Sequence, residues 1–153
     1  MKYTTEIIIE LPRKEVIKKL DSTENIKHWQ RGLISADHLS GKPGETGAKM
    51  NLKYKMGKRE MEMIETITKS NFPDEFHAHY DAKGVHNIQE NFFEDTAEGH
   101  TKWISKSEFQ FEGFMMKMMG FLMPGAFKKQ SMKYAVDFKN FAEKGISVLD
   151  AKK

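Results

Sequence analysis

Residues 48–56, AKMNLKYKM, alternate without interruption. Ala48, Met50, Leu52, Tyr54 and Met56 fall on one side of an extended chain, and Lys49, Asn51, Lys53 and Lys55 on the other. A period of two is that of a β-strand with one face in water and one buried, so the chain must supply both neighbouring strands and an apolar cover. Further β-rich runs stand at EMEMIETITK, EFHAHYDA, VHNIQENFFE and TKWISKSEFQF, separated by the turn-forming NFPD, DAKG and EDTAEGH. Short connections of this kind join neighbours as an antiparallel meander.

The cover comes from the C-terminal third. From about Phe114 to Lys144, the positions Met116, Met119, Met123, Phe127, Ser131, Tyr134, Phe138 and Phe141 step by three or four, while Lys128, Lys129, Lys133, Lys139 and Lys144 fall mostly elsewhere. That spacing predicts one long amphipathic helix, with Pro124-Gly125 as a break within it. At the other end, the β-branched YTTEIIIEL reads as a strand running directly into a helix PRKEVIKKL, whose Pro12 suits a first turn. A second short helix, TENIKHWQ, is expected to be capped by Asp21, Ser22 or Thr23 and ended by Gly32. The expected class is therefore α+β. A strongly curved antiparallel sheet of about seven strands, in the order β-α-α-β-β-β-β-β-β-α, wraps around the long C-terminal helix. Residues 1–145 form a single domain and residues 146–153 a loosely held tail.

Composition narrows the function. The chain has 153 residues, 31% charged and 39% hydrophobic, and a formal net charge of +3 with lysines spread along it, so nothing points to nucleic acid. There are no cysteines, which excludes disulfides and thiolate metal sites, and MKYTTEIIIE is too polar for a secretory signal. A cytoplasmic location is expected. The apolar run from Phe114 to Phe127 is broken only by Lys117 but falls short of the roughly 20 residues that span a bilayer.

Several segments together resemble a known family. LPRKEVIKKLDSTENIKHWQRGL is similar to the opening strand-to-helix-pair region of the START-like or SRPBCC superfamily, SGKPGETGAKMNL to its Gly-rich turn, EDTAEGHTKWISKSEF to the connection between its sixth and seventh strands, and FKKQSMKYAVDFKNFAEKG to the close of its final helix. The superfamily has the helix-grip fold, shared by the birch-pollen allergen, polyketide cyclases and lipid-transfer domains. The resemblance implies an internal ligand cavity with the final helix as its wall. It brings no catalytic residue with it, because such proteins share a cavity and not a reaction.

The residues can be read for what lines that space. Pairing Met56 with Met61 across the turn GKRE sets Tyr54 opposite Met63, Leu52 opposite Glu65 and Met50 opposite Ile67, which turns Glu65 inward. Pairing Asn91 with Trp103 sets Gln89 opposite Ser105 and Asn87 opposite Ser107. The expected cavity is bounded by Met50, Tyr54, Met63, Glu65, Gln89, Trp103, Ser105, Met119, Met123 and Phe127. Methionine suits such a wall because its unbranched chain repacks around differently shaped guests. The competing reading of the same stripe is plain core packing.

His77 and His79 share one strand face, and a tight DAKG hairpin would set His86 opposite His79, bringing three imidazoles together that could bind zinc. That face is the outer one, no acid is evident beside it, and no metal site is expected. Catalysis has no motif behind it: the one candidate is Glu65, with Tyr54 near it, where burial would raise the carboxyl pKa. The expected function is binding or transport of a hydrophobic or amphipathic small molecule, such as a lipid, without cofactor or nucleic-acid partner. The alternatives are a cofactor-independent cyclase, dehydratase or hydrolase using the same cavity, or a protein-interaction module with that cavity filled. Transient contact with a membrane surface is expected through residues 114–129, where Lys117, Lys128 and Lys129 stand beside the apolar side chains.

Overall fold

The computed structural model describes residues 1–150, apart from the side-chain surroundings at positions 115, 119, 120, 122 and 124. The chain runs β1 (Lys2–Ile9), α1 (Arg13–Leu20), α2 (Ile26–Trp29), β2 (Leu33–Ser40), β3 (Lys49–Met56), β4 (Arg59–Asn71), β5 (Glu75–Ala82), β6 (Val85–Asp95), β7 (Thr101–Phe111), α3 (Phe114–Leu122) and α4 (Pro124–Lys144). One antiparallel sheet has the order β1-β7-β6-β5-β4-β3-β2, so α1 and α2 carry the chain from one edge to the other. The seven-stranded sheet curves around α4, giving the α+β helix-grip architecture.

Local chemistry explains most of the elements. Pro12 is extended, and its carbonyl accepts the Glu15 and Val16 N–H groups that start α1. The C-terminal helix divides in two. Its second part opens at Pro124, where a missing N–H costs nothing, and closes on Gly145 in the left-handed conformation. α2 is shorter than the sequence suggested: Asn25 precedes it without a side-chain cap, its amide turned instead to the Lys19 carbonyl at 3.3 Å. The β2 strand was counted but not located from sequence. Its pairing with β3 shifts between Leu33 and Ser35 and again between His38 and Ser40, and such irregularities destroy strict alternation.

The hairpins form with the expected faces but a different register. Gly57 and Lys58 alone turn β3 into β4, with Gly57 at φ 63°, so Met56 pairs with Arg59, Leu52 with Met63 and Met50 with Glu65. The β6–β7 pairing also moves by two: Phe93 faces Trp103, Asn91 faces Ser105 and Gln89 faces Ser107. A shift of two keeps every side chain on its expected side of the sheet.

The core gathers at one end of the sheet. Ile9, Val16, Ile17, Trp29, Phe93, Phe138 and Ala142 pack together there, with Trp103 and Phe141 against them. Phe138 is 0% exposed and meets Trp29 and Trp103 edge-on, with ring centroids 5.1 and 5.6 Å away. Polar ties hold α4 to its surroundings. Lys139 donates to the Ile8 carbonyl and to Glu143, both at 2.6 Å, and Arg31 donates twice to the buried Asp137, at 2.6 and 3.1 Å. Residues 146–150 are better anchored than expected: Val148 and Ser147 are buried, the Val148 N–H donates to the His28 carbonyl, and His28 Nδ1 lies 2.9 Å from Ser147 Oγ. Residues 151–153 of the expected tail lie outside the described residues. Among the described residues, no helix is long and apolar enough to cross a membrane.

Two stability measurements follow from this packing. Phe138→Ala should lower the unfolding free energy by about 3–5 kcal/mol in a guanidinium titration, because truncation leaves a cavity between two tryptophans. Gly32 sits at φ 77°, and a Cβ there would lie 2.3 Å from the Lys55 carbonyl oxygen. Gly32→Ala should therefore cost at least about 1–3 kcal/mol in the same titration, whereas Gly99→Ala, strained in φ but with open space around it, should cost less.

Candidate functional site

The concave face of the sheet is built by parity. Met50, Leu52 and Tyr54 of β3, Met63, Glu65 and Ile67 of β4, Phe76, Ala78 and Tyr80 of β5, Asn87, Gln89 and Asn91 of β6, and Trp103, Ser105 and Ser107 of β7 all lie on the side facing α4, as the strand pairings require. Toward the core end this face is solidly packed. Away from it, Leu52, Tyr54, Ile67, Ala78, Asn87 and Ser107 are still buried, but Met50, Met63, Glu65, Gln89 and Ser105 between them are only half-buried, although each points to the inside of the curve.

The polar groups of this face form a short network. Gln89 Nε2 donates to Asn87 Oδ1 at 2.9 Å, and Asn87 Nδ2 donates to the Glu108 carbonyl at 3.1 Å. Trp103 Nε1 donates to Asn91 Oδ1 at 3.0 Å. These bonds hold the amides in fixed orientations, and among the described hydrogen bonds they leave Gln89 Oε1 and Asn91 Nδ2 for other partners.

Glu65 lies directly opposite Tyr80 on the neighbouring strand. The group that acts on its carboxyl is this phenol, not a lysine. Removal from water raises the Glu65 pKa above its ordinary 4.5, against a smaller lowering by the Tyr80 phenol. Burial, and then the Glu65 charge, push the Tyr80 hydroxyl well above its usual value. Tyr54 was the phenol expected beside Glu65. It stands opposite Met61 instead, donates its hydroxyl to Gln30 Oε1, and has its own pKa raised by burial. The Glu65–Tyr80 pairing was missed because its signal, inward parity on adjacent strands, becomes legible only once the β4–β5 register is known.

The other predicted residues are placed as follows. Phe127 packs its ring at 4.9 Å from Phe109 and 5.7 Å from Phe111. Tyr3 and Ser131 share a 2.6 Å hydrogen bond across the same space, from β1 to α4. Met123 is exposed at the junction of α3 and α4. The side chain of Met119 lies outside the described residues.

On the outer face, His79 and His86 meet ring to ring at 4.8 Å, although His86 pairs with Asp81 and not with His79 as expected. Acids do stand beside these imidazoles, contrary to expectation: His77 Nε2 lies 2.7 Å from Glu75, and His86 Nδ1 bonds to Asp81. Among the described residues, no group of three or more histidines and acids is arranged to hold a metal. Two recesses lie elsewhere on the surface. One, of about 550 Å³, is bordered by Pro12, Arg13, Lys14, Ile17, Phe72, Pro73 and Asp95; the other, of about 110 Å³, lies among Lys27, Gln30, Arg31 and Val148. Arg13 is already committed in the first, to Asp74 at 2.7 Å and Asp95 at 2.9 Å.

No protein-family model matches the sequence, and no curated protein is similar to it. Solved structures are similar in shape. The Zhui aromatase/cyclase from Streptomyces sp. R1128 superposes with a TM-score of 0.79 at 10% identity, over 94% of this chain and 93% of that one. A conserved protein from Geobacillus kaustophilus gives 0.76 at 14% identity, over 93% and 95% of the two chains. Ara h 8.0201 gives 0.73 at 11% identity, over 93% and 97%. The agreement extends over more than nine tenths of each chain, and the chain shares the helix-grip fold of these structures.

Proposed function

We propose that the protein binds an apolar or amphipathic small molecule in the space between the concave face of the sheet and α4. The observation that carries this reading is the incomplete filling of that face: beyond the Phe138 cluster, Met50, Met63, Glu65, Gln89 and Ser105 remain half-buried between the buried Leu52, Ala78, Asn87 and Ser107. A core would place apolar groups there or pair every polar one. Apolar surface with a few oriented amides and a carboxyl is the usual lining of a small-molecule site. Met50, Tyr54, Met63, Glu65, Gln89, Trp103, Ser105, Met119, Met123 and Phe127 are the proposed boundary, to which Tyr80 and Asn91 are added.

A second reading, acid–base catalysis in the same space, is favoured by the Glu65–Tyr80 pair. A carboxyl whose pKa is raised stays protonated closer to neutrality and can deliver a proton to a bound oxygen, with Tyr80 orienting it. One of the similar folds belongs to an aromatase/cyclase.

Titration of an apolar fluorescent probe tests the binding reading. Ser105→Phe should weaken binding by about tenfold or more by filling the space, whereas Ser105→Ala should change it only a few-fold, since one neutral hydrogen bond nets about 1 kcal/mol. Unchanged binding by a folded Ser105→Phe variant rejects the site. Native mass spectrometry of protein from its source should show a co-purifying small-molecule mass.

The state of Glu65 is read from stability against pH. Below about 4.5 both folded and unfolded chains hold this proton, so Glu65→Gln and wild type should be equally affected by pH. Above it the unfolded chain releases the proton first, and wild type should lose stability relative to Glu65→Gln until the raised folded-state pKa is passed. A constant difference between the two proteins across this range shows that Glu65 ionises normally.

A further inference from the structure

Phe114, Met118 and Phe121 are 75%, 41% and 84% exposed, and their spacing of four and three places them on one side of α3. The helix is nonetheless docked. Its Met116 lies against Gly84, where an added Cβ would come within 3.1 Å of the Met116 side chain, and the Glu112 N–H just before it donates to the Gly84 carbonyl at 2.9 Å. The apolar stripe therefore points outward from a helix fixed by its other side.

Charge says what covers it. Lys117 stands three residues after Phe114 and four before Phe121, inside the stripe. Between Glu112 and Asp137 there is no acid at all, while Lys117, Lys128, Lys129 and Lys133 are all exposed. The β3–β4 hairpin tip lies at the same end of the sheet, because β4 runs past the end of β5. It adds exposed Met56 and Met61, with Lys55, Lys58 and Arg59 set against Glu60 and Glu62, and the β5–β6 turn adds Lys83. A second copy of this patch would set lysine against lysine. An anionic bilayer surface offers acyl chains to the phenylalanines and phosphates to the lysines.

We infer that α3 docks the protein on anionic membranes, with Phe114, Met118 and Phe121 entering the interface and Lys117, Lys128 and Lys129 meeting the headgroups. The surface is independent of whether the concave face holds a ligand. Flotation with vesicles of phosphatidylcholine, alone or mixed with phosphatidylglycerol, tests it at low and high salt. The wild-type protein should float with the mixed vesicles at low salt, about tenfold less with phosphatidylcholine alone and less at high salt. Phe114→Ser/Phe121→Ser and Lys117→Glu/Lys128→Glu/Lys129→Glu should each cut binding by about tenfold or more while circular dichroism and thermal midpoint stay unchanged, since all five side chains are exposed. Ser105→Phe should float as wild type does, which separates this surface from the internal site. Equal binding to both vesicle types, binding that survives both multiple variants, or none to either vesicle overturns the inference. A dimer in sedimentation velocity that Phe114→Ser/Phe121→Ser dissolves also overturns it and makes the stripe a contact between copies.

Discussion

The contact on which the rest of this molecule depends is the insertion of Phe138 between Trp29 and Trp103. One aromatic ring from α4 touches the α1–α2 region through Trp29 and the start of β7 through Trp103, so three parts of the chain are fixed by a single side chain. Ile9, Val16 and Phe93 close around it. Edge-on aromatic pairs prefer this geometry over face-to-face stacking, which adds direction to what would otherwise be non-directional burial. The Arg31–Asp137 and Lys139–Ile8 bonds then fix the rotation of α4 about its axis.

Beyond that clamp the concave face mixes buried side chains, Leu52, Tyr54, Asn87 and Ser107 among them, with half-buried ones. There the concave face carries amides, a hydroxyl and a carboxyl that a dry core would reject, and it carries them in an ordered way. Gln89, Asn87 and the Glu108 carbonyl form one chain of bonds, and Trp103 with Asn91 another. Trp103 belongs to both regions, its ring in the core and its N–H in the polar network. One residue thus joins the packed end of the face to its polar network.

The same asymmetry governs α3. It is held by Met116 and the backbone at Gly84, and its apolar stripe faces away from the sheet. Helix-breaking at Pro124 separates it from α4, so the outward direction of α3 is not imposed on the core-facing stripe of α4.

Much of this was legible in the sequence for a simple reason. Period two in AKMNLKYKM and period three-to-four from Phe127 to Phe141 fix which side chains share a face, and that property survives any register shift of two. Helix starts at Pro12 and ends at Gly145 are local chemistry and could be read locally. What only the tertiary structure decided were distances between elements. Whether a hairpin turns on two residues or four depends on a glycine reaching positive φ, and that choice put Glu65 opposite Met50 and not Leu52. Tyr80 became the partner of Glu65 through a separate strand pairing. β2 was not located because its two irregularities against β3 erase the alternation by which strands are recognised. The anchoring of Val148 by the His28 carbonyl joins residues that no periodicity connects. Sequence pattern determines faces because a side chain's direction follows from its own backbone; partners are decided by the fold because they depend on the path of the chain between them.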